Sequence, residues 1–354
     1  MIDKIINDCL SMNIIVDRKS FTRLNSGLSN EVYLVDSFIT INKVHSKYIA
    51  KIFKKCNYVN RTYENDVIIK LNKRKISSKV IIDNENYRLE EFIEGNIINL
   101  TSLKILSRDK VLINISKRMF QVHNFNINNL IFRYEDNNIY LKMNTFFDIL
   151  TNLIKYSDYN LCIDSLKNSL EEDKNNLNIR LALDSNSKKL GKKITFNDIG
   201  SNNEIKYYNM GVDFMMSNSL IHADLLGDNI FCTSDNSIKF IDYEYSCISP
   251  RGYDIGNFFN EFKGINLESS YPDFKVRKLF YYSYFNTVNI CLSDQKNFDI
   301  FLKGVDNTVL IYSKISNLFW SLWSFVKYFE NNDNDFDYLN YGIKRLEFYL
   351  IINE

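Results

Sequence analysis

Between Ser219 and Ser246 the chain reads SLIHADLLGDNIFCTSDNSIKFIDYEYS, short apolar runs broken by Asp, Asn, Gly and Ser. Runs of this kind between turn residues predict a strand–loop–strand centre. What lies on either side of it differs in kind. FTRLNSGLSNEVYLV reads as two strands about a turn, KYIAKIFKK as a third, and NYRLEEFIEGN as a further strand ending at Gly95. One helix interrupts them, over Arg61 to Asn72, with Glu64, Val67, Ile68 and Leu71 on one face. Beyond Gly95 the pattern turns mostly helical. Leu112, Ile115, Met119 and Val122 share a face before His123, and SKISNLFWSLWSFVKYF predicts a long helix. Residues from about Glu171 to Asn209 are polar and weakly periodic, which suggests an insertion or an irregular connection. At 354 residues the chain exceeds a typical single core. The expectation is α+β, with a small β-rich lobe over 1–94 and a larger, mainly helical lobe over 95–354.

Composition narrows the function. The 44 basic and 43 acidic residues nearly cancel, so no global field exists to hold nucleic acid or an anionic membrane. Locally, Lys43 to Lys79 carries 11 basic residues against Glu64 and Asp66, either a solvated face or a field that attracts polyphosphate. Cys9, Cys56, Cys162, Cys232, Cys247 and Cys291 are scattered and never spaced C-x-x-C, which argues against a zinc site or a disulfide framework. Reduced thiols fit a cytoplasmic protein. The first residues carry Asp3 and Asp8 and do not read as a signal peptide, and no apolar run is long enough for a membrane span.

The central segment carries chemistry. Phosphoryl transfer needs a carboxylate to orient the attacking hydroxyl and take its proton, and oxygen ligands to hold magnesium against the phosphates. Asp224 and Asn229 in IHADLLGDN have the spacing D-x-x-x-x-N, and Asp242 follows the strand-like IKFI. Asp224 is expected as catalytic base, and Asn229 and Asp242 as ligands of Mg2+. His222 is expected to brace the loop through hydrogen bonds. The plainer alternative, that Asp224 and Asn229 only cap a loop, weakens once Asp242 is counted with them.

Signals for ATP in the N-terminal lobe are weaker one by one. Ser26, Gly27, Leu28, Ser29 and Asn30 can fold over phosphates through backbone N–H groups and hydroxyls, or form an ordinary hairpin turn. Lys51 on a strand can reach the phosphates. Glu64, a carboxylate on an apolar helix face, wants a partner and is expected to hold the Lys51 ammonium. Leu89 to Ile93 can offer backbone groups to adenine, with Glu91 and Ile93 as the expected contacts. The whole predicts a bilobal, protein-kinase-like fold.

Taken together and in order, IHADLLGDN, FIDYEY, RGYDIGNFFNEF and NLFWSLWS resemble the choline/ethanolamine kinase family, from about Leu24 to Phe348. The resemblance implies ATP, magnesium and an amino-alcohol substrate, choline or ethanolamine, and with it the opening step of phosphatidylcholine synthesis. It also allows a homodimer, common in the family. Three departures stand out. Ala223 replaces the usual Asn, Lys51 stands where many members have Arg, and Phe262 to Asn266 lacks aromatics usual in choline kinases.

The substrate side has its own logic. A quaternary ammonium has no N–H donors, so ring faces and nearby carboxylates must hold it. Trp320 and Trp323, the two tryptophans, lie three apart on a helix, and Tyr338 and Tyr341 repeat that spacing. With Tyr245, Glu244 and Glu261 they match the family's aromatic cage; without the resemblance, such a stripe reads as core. Five rings against two carboxylates favour choline over ethanolamine. An aminoglycoside or sugar phosphotransferase is the nearest rival. A protein kinase fits poorly, because no arginine precedes Asp224 and no A-P-E segment appears. A catalytically dead scaffold is disfavoured by the joint presence of Asp224, Asn229 and Asp242.

Overall fold

The computed structural model describes residues 1–24, 30–39, 44–54, 56, 58–100, 108–153, 167–168, 171–172, 202–286, 294–330 and 336–351. In chain order the elements begin α1 (Ile2–Ser11), β1 (Ile14–Ile15), β2 (Phe21–Leu24), β3 (Asn30–Ile39), β4 (Val44–Phe53) and α2 (Arg61–Asn72). Then come β5 (Val80–Asp83), β6 (Tyr87–Glu91), β7 (Asn96–Ile97), α3 (Arg108–His123), α4 (Ile139–Leu153) and α5 (Asn202–Met216). The central strands are β8 (Asn218–Ile221), β9 (Ile230–Cys232), β10 (Ile238–Phe240) and β11 (Cys247–Pro250). Helices α6 (Arg251–Asn260), α7 (Phe274–Asn286), α8 (Gln295–Glu330) and α9 (Tyr338–Ile351) follow. The fold is α+β.

Two compact units divide the chain: Met1–Ile98 with Asp228–Ser246, and Asn99–Gly227 with Cys247–Glu354. Residues 228–246, expected above within the C-terminal lobe, belong to the first unit, and Asn229 and Asp242 go with them.

The first unit is an antiparallel sheet in the order β1-β3-β4-β6-β5, with β2 also on β3. Alternation explains its two faces. Tyr48, Ala50, Tyr87 and Leu89 pack with Val35 against Ile5 and Cys9 of α1. Lys51 and Arg88, opposite each other on β4 and β6, leave by the other face. The sequence reading allowed one helix in this region and missed α1, whose Ile5, Ile6 and Cys9 form its inner stripe. Helix α2 begins where Asn60 accepts the Tyr63 amide at 3.0 Å, and its expected inner face, Glu64, Val67, Ile68 and Leu71, is buried. A small sheet β10-β9-β7 completes the unit. Gly95 allows its close approach, since a Cβ there would lie 2.7 Å from the Cys232 carbonyl oxygen.

In the second unit β8 pairs antiparallel with β11, and α8, 36 residues long, runs through the core. Glycines let α5 lie close to it: a Cβ at Gly304 would sit 2.0 Å from the Tyr208 carbonyl oxygen. Residues 202–209, expected as part of an irregular stretch, open helix α5 instead; most of the remaining stretch lies outside the described residues. Among the described residues no helix is long and apolar enough to cross a membrane.

Candidate active site

In the first unit, the face that carries Lys51 and Arg88 gathers a buried cluster of charge. Arg88, fully buried, donates through Nη2 to Glu64, through Nε to Glu90 at 2.7 Å, and through Nη1 to Asn65 at 2.6 Å. Arg61 on α2 donates to Glu64 at 2.7 Å, to Glu244 at 3.1 Å and to the Asn30 side-chain oxygen at 2.8 Å. Its guanidinium lies 4.3 Å over the Phe53 ring. The Lys51 ammonium is 3.0 Å from Asp242 Oδ1. The sequence reading expected Glu64 to hold Lys51; in the structure Lys51 pairs with Asp242, and Glu64 with Arg88 and Arg61. The forked guanidinium of Arg88, alongside Lys51 on the next strand, takes that carboxylate first.

These contacts set the charge states. Burial alone would raise the Glu64 carboxyl, but Arg88, Arg61 and Lys51 outweigh it and hold Glu64 at about 2. Burial likewise pushes the Lys51 ammonium down, and Asp242 with Glu90 and Glu64 more than reverses the push, so Lys51 stays charged. Asn229 is tied to this strand end, since the Ile241 amide donates to the Asn229 carbonyl at 3.1 Å. One residue on, Asp242 adopts φ 65, a left-handed backbone that sets it apart from the strand before it. The donor set suits magnesium: a carboxylate and an amide oxygen, both hard, leave room for phosphate oxygens and water. Among the described residues no group of three His, Cys, Asp or Glu side chains is placed to hold a metal by itself.

In the second unit, the loop that follows β8 is held by one buried carboxylate. Asp254 on α6 accepts the amides of His222 at 3.0 Å and Ala223 at 2.8 Å. It also meets His123 Nε2 at 2.9 Å, while His123 Nδ1 lies 2.6 Å from the Tyr284 hydroxyl. A neutral imidazole satisfies both bonds, Nε2–H donating to the carboxylate and Nδ1 accepting from the hydroxyl. Burial pushes the His123 pKa down against the pull of Asp254, in keeping with that tautomer. The Asp224 amide in turn donates to His222 Nδ1 at 3.3 Å. Ala223 sits at φ 67, a region that Asn tolerates far better than Ala, where Asp254 pins its amide.

The aromatic residues of the second unit form a continuous row. Trp320 and Trp323 stand at 5.4 Å, Trp323 and Tyr338 at 5.7 Å, and Phe336 touches both Tyr338 and Tyr341. Trp320 is fixed at its other edge by Nε1–H donating to Asn257 at 2.7 Å. Gly256 permits this closeness, since a Cβ there would lie 2.5 Å from the Ser313 amide. Glu261, just past α6, accepts from Arg345 at 2.7 Å, and Arg345 also donates to Tyr341 and Asn317 at 3.0 Å.

Lys51, Glu64, Asn30, Asp242 and Glu244 thus share one network, and Trp320, Trp323, Tyr338 and Tyr341 one row. Tyr245 is buried in the first unit; Glu91 is exposed at the end of β6 and Ile93 buried beyond it. Ser26, Gly27, Leu28 and Ser29 lie outside the described residues. Sequence reasoning assigned no role to Arg61, Arg88, His123, Asp254, Asn257 or Arg345.

The sequence profile described as choline/ethanolamine kinase matches residues 21–350. The chain belongs to this family. A probable ethanolamine kinase B of Dictyostelium discoideum is 32% identical over 168 residues, 37% of this chain and 36% of that protein. A probable choline kinase 2 of Arabidopsis thaliana is 35% identical over 137 residues, 36% of this chain and 37% of that protein. These alignments span little more than a third of either curated relative. By fold, the chain is similar to the Plasmodium vivax ethanolamine kinase, with a TM-score of 0.70 and 22% identity over 98% of this chain and 85% of that one.

Proposed function

We propose that this member of the choline/ethanolamine kinase family transfers the γ-phosphoryl group of ATP to the hydroxyl of choline, with ethanolamine as the alternative substrate. The observation that carries the reading is the row Trp320–Trp323–Tyr338, with Trp320 hydrogen-bonded to Asn257, in a chain that belongs to the choline/ethanolamine kinase family. Each ring face contributes roughly 0.5–2 kcal/mol to holding a methylated ammonium. Both carboxylates that could instead accept N–H bonds from ethanolamine, Glu244 and Glu261, are already paired with arginines.

In this reading Asp224 orients the hydroxyl and takes its proton, on a loop fixed by Asp254 and His222. Asn229 and Asp242 hold magnesium, which when bound neutralises charge on the phosphates. Lys51 leaves Asp242 to meet the phosphates, and the segment Glu91 to Ile93 offers backbone groups to adenine. Residues Ser26 to Asn30 are assigned to the phosphates, and Tyr245, Tyr341, Trp320 and Trp323 to the amine. A cytosolic setting and a homodimer belong to the same proposal.

The test is ADP release in the presence of magnesium with choline, ethanolamine, an aminoglycoside and a peptide. The expected result is turnover of both amines, with the higher kcat/KM for choline, and of neither of the others. Asp224→Asn should lower turnover roughly 10²–10⁴-fold while nucleotide binding stays within a few fold. A tenfold preference for ethanolamine would overturn the substrate, and near-normal turnover by Asp224→Asn would overturn the base.

A further inference from the structure

Arg345 is 1% exposed, and each of its three side-chain nitrogens donates a hydrogen bond. It donates from Nη2 to Glu261 at 2.7 Å, from Nη1 to Asn317 at 3.0 Å and from Nε to the Tyr341 hydroxyl at 3.0 Å. The same group lies 5.1 Å over the Tyr341 ring. Asn317 reaches onward to Asn260 at 3.4 Å, so α6, α8 and α9 are joined through this one side chain. A second cation stands close by. Lys263, also buried, places its ammonium 3.2 Å over the Phe348 ring, and it senses both Arg345 and Glu261.

A buried guanidinium needs a compensating carboxylate, and Glu261 supplies it here. One oxygen of the carboxylate, Oε1, is thereby held and its charge balanced by a protein cation before any ligand arrives. We infer that Arg345 is the specificity-determining residue of the amine site: it occupies Glu261, denies a primary ammonium its acceptor, and leaves ring faces as the main attraction for a methylated one. The inference rests on the amino-alcohol reading above and goes further, because it names what tells the two amines apart. Arg345 acts through Glu261 and Tyr341 and is a positioning residue.

Trp320 and Trp323 are the only tryptophans in the chain, so intrinsic fluorescence reports on this site without any need for turnover. The full chain is titrated with choline, tetramethylammonium and ethanolamine, as the unmutated protein, Arg345→Met, Arg345→Lys, Glu261→Gln and the double variant Glu261→Gln/Arg345→Met. In Arg345→Met the affinity ratio should shift about tenfold towards ethanolamine, the scale of one charge-assisted hydrogen bond. Arg345→Lys should stay near the unmutated ratio. Glu261→Gln leaves the guanidinium uncompensated and should weaken all three cations about tenfold, and the double variant should recover most of that loss.

A purely structural role moves none of these ratios. An unchanged ratio in a cooperatively folding Arg345→Met overturns the inference and leaves the substrate reading standing. If that variant does not fold, Glu261→Gln decides: an equal loss for all three cations supports the inference, and either unchanged affinity or a loss confined to ethanolamine, which would make Glu261 its direct acceptor, overturns it. If the unmutated protein neither binds nor phosphorylates any of the amines, the substrate reading fails and the inference with it.

Discussion

Arg88 in the first unit and Arg345 in the second are both buried to within 1% of full enclosure, yet their surroundings carry opposite balances of charge. Around Arg88 stand two further cations, Lys51 and Arg61, and four acids, Glu64, Glu90, Asp242 and Glu244. The acids are in excess. Around Arg345 a single carboxylate, Glu261, faces Arg345 and Lys263, and the remaining partners are neutral. The first cluster holds four acids against three cations, Arg88 included, a balance that suits a site receiving a metal cation. The second has no acid in excess, so under the proposed function any attraction for an organic cation falls to its ring faces.

The largest expected effect tests the burial half of the comparison. Arg88→Met takes the guanidinium away from two buried carboxylates, leaving Glu64 with Arg61 alone and Glu90 with only the Ser78 hydroxyl, and should lower folding stability by about 3–5 kcal/mol. Arg345→Met strands one carboxylate, and Glu261 keeps 15% side-chain exposure, so its loss should be clearly smaller. Urea unfolding of both variants measures the difference. Equal losses, or a larger one at Arg345, would break the contrast.

Next in size is the charge half. Asp242→Ala removes the excess acid and a proposed metal ligand, and should weaken magnesium-dependent nucleotide binding by roughly tenfold or more. Calorimetric titration with MgATP measures it. Unchanged affinity together with an unchanged magnesium dependence of turnover would remove Asp242 from the metal site.

The division of charge was only half legible in the sequence. Asp224, Asn229 and Asp242 could be proposed because phosphoryl transfer asks for such residues, spaced along one short segment. The sheet and α2 could be read because alternation and a 3.6-residue period are local. The arginines could not. Arg61 meets Glu244 across 183 positions and Arg345 meets Glu261 across 84, and neither stands in a local pattern that marks a buried residue. Asp254 was quoted within RGYDIGN, but its grip on the His222 and Ala223 amides depends on α6 folding back on β8, which no periodicity encodes. Glu64 is the instructive case. Its need for a partner followed from its place on an apolar face; that the partner was Arg88 followed from strand register, which the sequence leaves open.

The smallest effect refines the second cluster. Burial, with Arg345 adding to it and Glu261 opposing, lowers the Lys263 ammonium to about 8. Lys263 is therefore mostly charged at pH 7 and mostly neutral at pH 9. Its folded pKa lies below the usual lysine value of about 10.4, so the unfolded chain binds the extra proton between the two values. Folding stability from this group accordingly rises as pH climbs through that window and is not gained below it. For ligand binding the sign is the same. Neutralising Lys263 leaves Glu261 balanced by Arg345 alone and removes a repulsive charge from the neighbourhood of the rings. Affinity for tetramethylammonium, read by tryptophan fluorescence, should rise about two- to fivefold from pH 7 to pH 9, the scale of a modest Coulombic effect. Tetramethylammonium has no titrating group, so the slope belongs to the protein. Lys263→Met should show the high-pH affinity throughout, with no slope. A flat profile in the unmutated protein, or a slope that survives in Lys263→Met, would mean that the second cluster's charge is settled by Arg345 and Glu261 without Lys263.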